Sequence, residues 1–293
     1  MYKILSDSAC DLSKEYVERH NVEIVPLSIS FDGENYEVDR EEIDRDAFYQ
    51  KMVDNPTVFP KSSLPSVETY ADYFRKYAEA GIPIICLTIS LVLSGSFNSA
   101  RMAKDLVEED YPDAKITVID SRQNTASQAL IIDQVVRMRD DGVSYDDAIS
   151  IIDKLIPTAR IFFTIGSLDY LQKGGRIGKV AVAATNKLGV KPIIILKDGE
   201  IGLGGIGRNR NKIKNNIIQI ANKYLNENGK ENFYVNVGYG YDADEGKEFM
   251  ANVEEQLNVK LLDEANVAIG AVSAVHTGPY ALGLAVIKDY KTL

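Results

Sequence analysis

The first half of the chain alternates short apolar runs with longer amphipathic segments. The apolar runs are YKIL, EIVPLSISF, IPIICLTIS and KITVID, and the segments between them include VETYADYFRKYAEA and SARMAKDLVEED. Apolar residues that recur every three to four positions are typical of a helix, whereas continuous apolar runs are typical of strands buried on both faces. This alternation predicts a parallel sheet that is covered by helices on both faces.

The pattern changes after about residue 160, where strand-like runs dominate. These runs are RIFFTIG, KPIIILKDGEIGL, NFYVNVGYG and NVAIGAVSAVHTG. The second run contains Asp198-Gly199, a dipeptide that favours a tight hairpin between antiparallel strands. We therefore predict an α/β fold of two domains: residues 1–157 form an α/β/α domain with a parallel sheet, and residues 158–293 form an α+β domain with antiparallel pairing.

Composition and charge narrow the classes of function. The 293 residues carry a net charge of −10, which argues against a nucleic-acid ligand. With two histidines and two distant cysteines, Cys10 and Cys86, little is left for a metal site, and we expect neither a metal nor a cofactor. The start, MYKILSDSACDLSKEY, indicates a first strand rather than a signal peptide, and no apolar run approaches a membrane span. We expect a cytoplasmic protein.

Two glycine-rich stretches resemble nucleotide-binding loops, and both fail the test of context. GLGGIG, Gly202 to Gly207, fits a dinucleotide pattern but follows a predicted hairpin instead of opening a βαβ unit. GGRIGK lacks the first glycine and the final hydroxyl of a phosphate loop. The sequence therefore predicts no nucleotide site in this chain.

A cluster of hydroxyl groups lies where an apolar run gives way to a predicted helix. This is SGSFNSA, in which Ser94 and Ser96 flank Gly95, and Ser62 lies in a second cluster, KSSLPS. The first amides of a helix are unpaired and carry positive potential, so this junction is suited to an anion. Glycine lets a ligand approach the backbone closely. We predict an anion-binding site at Ser94 and Gly95.

Other polar residues of interest lie in loops. LQKGGRIGK places Arg176 between two glycine-containing turns, which indicates an anion or partner contact in an otherwise acidic protein. AVHTGPYALG places His276 just before a Gly-Pro turn, at a predicted strand end. In SDSACDLS, Asp11 is predicted to cap the first helix, and Asp7 remains a minor candidate for a site.

These residues leave two enzymatic alternatives open. A serine-dependent acyl hydrolase would use Ser94 or Ser96 with His276 as the base, although the flanking glycines of a nucleophile elbow are missing. A sugar or nucleotide transferase would use the crevice of the first domain.

Taken together and in this order, the motifs resemble the DegV family of bacterial fatty-acid-binding proteins. The matching pieces are SDSACDLS, KSSLPS, LSGSFNSA, IDS, LQKGGRIGK, KPII with DGEI, and HTGP. The resemblance implies two α/β domains with a long-chain fatty acid between them. It implies that Ser62 and Ser94, with Gly95, hold the carboxylate and that His276 lies near the same head group.

The resemblance also implies a partner. Members of the family present the fatty acid to a separate ATP-binding kinase subunit, which forms an acyl phosphate for phospholipid synthesis, so the chain would not itself be an enzyme. Arg176 and Arg208 match positions that are implicated in binding the kinase. The sequence departs from the family where Ser62 replaces threonine and where Ala274 and Tyr280 replace glycines, and Tyr280 is expected near the head group.

Overall fold

A four-stranded parallel sheet organises the first half of the protein. The computed structural model describes residues 1–181, 191–259, 261–262 and 267–293. The strands of the first half are β1 (Lys3–Asp7), β2 (Val22–Val25), β3 (Ser28–Ser30), β4 (Glu37–Val38), β5 (Lys61–Ser63), β6 (Ile84–Thr88) and β7 (Ile116–Asp120). The helices are α1 (Lys14–Arg19), α2 (Arg45–Asp54), α3 (Val67–Ala78), α4 (Ser96–Asp110), α5 (Thr125–Asp140) and α6 (Tyr145–Leu155). The parallel sheet has the order β2-β1-β6-β7.

Successive residues of the central strands face opposite helical layers, because side chains alternate along a strand. On β1, Leu5 packs with Phe74 of α3 and Val107 of α4, whereas its neighbour Ile4 packs with Leu130 of α5. Both faces of the sheet are therefore buried under helices. The predicted α/β/α arrangement of the first domain is confirmed.

The run EIVPLSISF was predicted to form one strand, and this is wrong. The first strand, β2, ends at Val25, and Pro26 separates it from β3. Proline has no backbone N–H to donate to a sheet, so a strand does not continue through it in the sheet interior. Strand β3 instead pairs with β4 and β5 in a small antiparallel sheet of order β4-β3-β5.

A six-stranded sheet forms the second half. Its elements are β8 (Arg160–Thr164), α7 (Asp169–Lys173), β9 (Lys191–Lys197), β10 (Glu200–Gly207), α8 (Arg210–Asn228), β11 (Phe233–Tyr239), α9 (Ala243–Leu257), β12 (Val267–Ala268), α10 (Ala271–Thr277) and β13 (Leu282–Lys288). The sheet order is β10-β9-β8-β13-β11-β12, and every pair is antiparallel except β11 with β12. The predicted hairpin joins β9 to β10, where Asp198 and Gly199 both have positive φ, as a tight primed turn requires.

Two local predictions are wrong. The run NVAIGAVSAVHTG was predicted to be a strand, but only the two residues of β12 are extended in this way, and Ala271–Thr277 form helix α10; Asn266 lies outside the described residues. Gly278, at φ 72, ends this helix, and packing of α10 in the core overrides the strand preference of its valines. Asp11 does not cap α1 either. Ser13 does, because its hydroxyl accepts the amide N–H of Tyr16 at 3.1 Å.

Helix α5 lies between the two large sheets. Leu130 and Ile131 on this helix belong to one apolar cluster that also contains Ile85 of the parallel sheet and Ala285 of the antiparallel sheet. The two-domain α/β architecture is as predicted, and the domains share this core. The boundary near residue 157 stays a prediction. Among the described residues, none of the helices combines the length and the apolar character that crossing a bilayer requires.

Candidate functional site

A cavity of about 200 Å³ lies where β5 and the loops that follow β6 and β7 meet the antiparallel sheet and α10. Its apolar wall includes Leu27, Leu64, Ile89, Phe163, Leu196 and Val272. Its polar wall includes Ser62, Ser94, Arg176 and His276. The structure therefore brings together four residues that the sequence analysis singled out in four separate motifs.

Ser62 and His276 are in direct contact across the cavity. Ser62 lies on β5, His276 lies on the last turn of α10, and Ser62 Oγ is 2.9 Å from His276 Nε2. His276 was predicted to lie at a strand end, which is wrong because the segment is helical. The structure nevertheless brings His276 beside the Ser62 hydroxyl, and its place near a carboxylate head group stays a prediction.

The His276 ring is neutral at neutral pH. Burial lowers the pKa of His276 to about 4, and the positive charge of Arg176 acts in the same direction. The other ring nitrogen, Nδ1, is buried and has no hydrogen-bond partner among the residues that the structure describes. It lies against Gly174, where a Cβ atom would be only 2.4 Å from Nδ1, so a side chain at Gly174 would displace the ring.

Ser94 lies at the mouth of the cavity, immediately before the start of α4. Gly95 is the N-cap residue of this helix and contributes no side-chain cap. Ser94 Oγ accepts the backbone N–H of Ser96 at 3.3 Å and lies 3.0 Å from Ser96 Oγ. A Cβ atom on Gly95 would be 3.1 Å from Leu64, so glycine allows the two loops to approach closely.

Arg176 connects a loop of the second half of the protein to a loop of the first half. Its Nε donates to the carbonyl oxygen of Leu93 at 3.1 Å, and its Nη1 donates to the carbonyl oxygen of Gly174 at 2.5 Å. Arg176 is exposed to solvent and also lines the cavity. Arg208 lies in an exposed bend after β10 and outside this lining. The two arginines, grouped together by the resemblance, therefore occupy different surroundings.

A second cavity, of about 40 Å³, continues the first one into the core. The two share Asn124, Phe163 and Thr277 as wall residues. Its further wall residues are mostly apolar and include Ala126, Ile161, Ile269, Ala281 and Leu282. The combined space has hydroxyl groups and an imidazole in its first part and an almost entirely apolar far end, which suits an amphipathic ligand with a small polar head.

Comparison with known proteins assigns the family. The model of the DegV family, described as uncharacterised proteins, matches residues 1–289. The chain belongs to the DegV family. A DegV domain-containing protein of Clostridium perfringens is 31% identical over 98% of this chain and 99% of that protein. One from Staphylococcus aureus is 32% identical over 97% of this chain and 98% of that protein.

Solved DegV-like structures share the architecture. A stearic-acid-binding protein from Eubacterium ventriosum is 67% identical, with a TM-score of 0.98 and full coverage of both chains. A DegV family protein from Thermus thermophilus, described by its fatty acid binding, is 26% identical, with a TM-score of 0.86 over 98% of this chain and 99% of that one. These matches confirm the recognition of the family and its mixed α/β fold.

Some wall residues of this DegV site carry no signal in the sequence. Phe163 sits in an ordinary strand run, and only the tertiary fold brings it between the two cavities. Thr125 is buried beside the second cavity with φ 43, a strained value for a β-branched residue. Nothing in the NTASQAL segment indicates such a backbone. Tyr280, expected near the head group, lines a neighbouring cleft instead, where its ring packs against Gly166.

The geometry disfavours the hydrolase alternative. The hydrogen bond of His276 goes to Ser62, and among the described contacts none joins His276 to Ser94 or Ser96. Within the described part of the chain, no carboxylate bonds to Nδ1 to orient the ring, as a catalytic triad requires. Among the described residues, no group of three or more His, Cys, Asp or Glu side chains is arranged to hold a metal ion.

Proposed function

We propose that this DegV protein binds one long-chain fatty acid between its two domains. The observation that carries the proposal is its 67% identity, over the full length of both chains, to a stearic-acid-binding protein. The cavity supports it, since a polar mouth leads into an apolar interior. A second relative, the DegV family protein from Thermus thermophilus, is also described as binding a fatty acid.

In this proposal the carboxylate lies among Ser62, Ser94 with the Gly95 backbone, and His276. Hydroxyl groups and a neutral imidazole donate hydrogen bonds without placing a full positive charge against the head group. Arg176 contributes its charge from the rim of the cavity, where both of its described hydrogen bonds go to carbonyl oxygens. The carboxylate thus stays open to a reaction partner.

The tail supplies most of the affinity. At about 0.8 kcal/mol per buried methylene, roughly 14 methylenes contribute about 11 kcal/mol before the cost of association. That gross contribution is sufficient for sub-micromolar binding with modest help from the head group. We therefore expect the fatty acid to remain bound through purification.

The proposal extends to a partner in the cytoplasm. A separate ATP-binding fatty acid kinase subunit would phosphorylate the presented carboxylate, and the acyl phosphate would enter phospholipid synthesis. The absence of a phosphate-loop motif from the sequence supports a carrier without a nucleotide site of its own. The exposed Arg176 and Arg208 offer planar donors that suit an acidic surface or a transferred phosphate.

Lipid analysis of the purified protein tests the binding proposal. We expect organic extraction of the denatured protein, followed by mass spectrometry, to yield one long-chain fatty acid per chain. An acyl adduct on a serine would instead favour the hydrolase. If there is no lipid, and the protein binds neither oleate nor palmitate, the carrier proposal is wrong.

Replacing Ser94 with alanine is expected to lower fatty acid affinity about 10- to 150-fold, because a hydrogen bond to a charged group contributes roughly 1.5–3 kcal/mol. Acyl phosphate formation should fall further than lipid occupancy, since the head group loses its fixed position. Titration with oleate and a coupled kinase assay measure the two effects. Asn98→Ala is the matched control, because Asn98 belongs to the same motif but is exposed and lies outside the cavity lining.

A further inference from the structure

A serine on α10, Ser273, has a buried hydroxyl group that lines the cavity without a partner. Ser273 is 4% exposed and belongs to the wall of the first cavity. Its Oγ is buried and makes no hydrogen bond to any residue that the structure describes. A buried hydroxyl that stays unpaired is costly, so a polar ligand group placed against it is stabilised. The proposed contacts to the carboxylate do not use this hydroxyl.

The usual backbone partners of this serine are already in use. A serine in a helix commonly donates to the carbonyl oxygen three or four residues earlier, which here belongs to Gly270 or Ile269. The Gly270 oxygen accepts a backbone N–H of α10 at 3.1 Å. The Ile269 oxygen accepts Nε–H of Arg45 at 3.0 Å and the hydroxyl of Tyr49 at 3.0 Å, which fills both of its lone pairs. The Ser273 hydroxyl is therefore left to the cavity.

The cavity-lining residues of α10 form two neighbouring rows. Side chains four residues apart lie one above the other on a helix, so Val272 and His276 form one row, and Ser273 and Thr277 form the other. All four line the first cavity, and Thr277 also lines the second. The row of Ser273 and Thr277 is thus the one on the side of the second cavity. A tail that runs from His276 into the second cavity passes this row.

Two further polar side chains line the passage between the cavities. Asn124 and Thr277 belong to the walls of both. The side chain of Asn124 does not cap α5, although Asn124 is the N-cap residue of that helix. The Thr277 hydroxyl donates to the carbonyl oxygen of Ser273 at 2.9 Å and keeps its lone pairs. Ser273 thus offers a hydrogen to the passage, and Thr277 and Asn124 offer acceptors.

We propose that this row binds a hydroxyl group on one of the first carbons of the tail, so that the protein prefers 3-hydroxy fatty acids to the unsubstituted acids. Side chains three positions apart on a helix, such as Ser273 and His276, have Cβ atoms about 5–6 Å apart, which spans the first few carbons beyond the carboxylate. The ligand hydroxyl accepts the hydrogen of Ser273 and donates its own to Thr277 Oγ1 or Asn124 Oδ1. This inference rests on the proposed binding of a fatty acid and names the class of tail.

An unsubstituted tail fits this row less well. A methylene group accepts no hydrogen bond, so bound palmitate leaves the Ser273 hydroxyl unpaired, whereas a hydroxyl on carbon 3 completes the pair. A hydroxyl far along the tail has the opposite effect, because the wall of the second cavity is mostly apolar. The position of the hydroxyl on the tail therefore decides whether it strengthens or weakens binding.

Titration of lipid-stripped protein with palmitate and with 3-hydroxypalmitate tests this proposal. We expect the wild-type protein to bind the 3-hydroxy acid roughly tenfold more tightly than palmitate, and Ser273→Ala to lose this preference, because hydrogen bonding to Ser273 separates the two ligands. Ser127→Ala is the matched control and should keep the preference. Ser127 is also a buried serine whose Oγ has no partner among the described residues, but it lies outside the lining of both cavities.

A second comparison uses the wild-type protein alone and moves the hydroxyl along the tail. We expect 12-hydroxystearate to bind at least about tenfold more weakly than stearate, because its hydroxyl reaches apolar walls. A gain with the 12-hydroxy acid as large as that with the 3-hydroxy acid would overturn the proposal, since the preference would not depend on position.

Equal affinities of the wild type for palmitate and 3-hydroxypalmitate would also overturn it, as would an unchanged preference in Ser273→Ala. If Ser273→Ala loses affinity for both acids equally, Ser273 binds the carboxylate and not a hydroxyl on the tail, and the proposal is wrong. If the wild type binds none of these acids, the proposed function itself fails, and this inference fails with it.

Discussion

Arg176→Ala is expected to abolish acyl phosphate formation by the partner kinase while the protein keeps its fatty acid. The guanidinium is exposed at the rim of the cavity, and its Nε and Nη1 donate to the carbonyl oxygens of Leu93 and Gly174. These contacts hold a planar group of donors at the rim of the cavity, and such a group suits an acidic surface or a transferred phosphate of the proposed kinase. The change leaves the apolar wall intact, so we expect fatty acid affinity within about tenfold of wild type.

The measurement is kinase-coupled turnover, with lipid occupancy and melting temperature recorded on the same samples. Lys173→Ala is a matched control, because Lys173 is an exposed cation on the preceding helix and lies outside the cavity lining. The alternative role for Arg176 is structural, since its hydrogen bond to the carbonyl oxygen of Leu93 ties the second half of the protein to the first. Normal turnover combined with a lowered melting temperature would establish that structural role and exclude kinase docking.

Val272→Trp is expected to remove fatty acid binding, with a loss of affinity of at least about 100-fold, equivalent to about 2.7 kcal/mol. Val272 is buried on α10 and lines the cavity one turn before His276. An indole directed into the cavity would occupy the space that the tail needs. Because the cavity accepts the added volume, the melting temperature of the lipid-free protein should stay near that of the wild type or rise.

Val272→Ile is the matched control, because one extra methylene leaves most of the cavity open. Oleate titration and thermal unfolding of the lipid-free proteins give the two readouts. Unchanged oleate binding by a folded Val272→Trp protein would show that the tail lies elsewhere. A collapse of melting temperature in both variants would mean that α10 tolerates no added volume, and that the space is not available to a ligand.

The sequence predicted those strands and turns whose conformation follows from the local order of apolar and turn-forming residues. Continuous apolar runs such as IPIICLTIS gave buried parallel strands, and the Asp198-Gly199 turn gave the hairpin between β9 and β10. Helix α10 was missed because its valines favour strands in isolation, whereas packing against both domains decides its conformation. The end of β2 before Pro26 could have been predicted from the sequence, since a proline in a strand interior removes a hydrogen-bond donor.

The site was predictable as a set of motifs but not as a geometry. Ser62 and His276 are 214 positions apart, and only the tertiary fold brings Ser62 Oγ to His276 Nε2. The same holds for Phe163, which no motif marks. Arg176 was predicted to serve a partner and Ser94 to serve the ligand, yet both lie on one cavity wall. Residue type and local spacing indicate which chemistry is available, and long-range packing decides which groups meet.

A crystal structure with a terminally brominated long-chain fatty acid would locate both ends of the ligand in this protein. Anomalous scattering locates the bromine, and electron density locates the carboxylate in the same experiment. We predict that the carboxylate lies within hydrogen-bond distance of Ser62 Oγ and Ser94 Oγ, with the bromine beyond Phe163 among the apolar residues of the second cavity. A reversed ligand, or a ligand bound outside these two cavities, would contradict the proposed binding of the fatty acid.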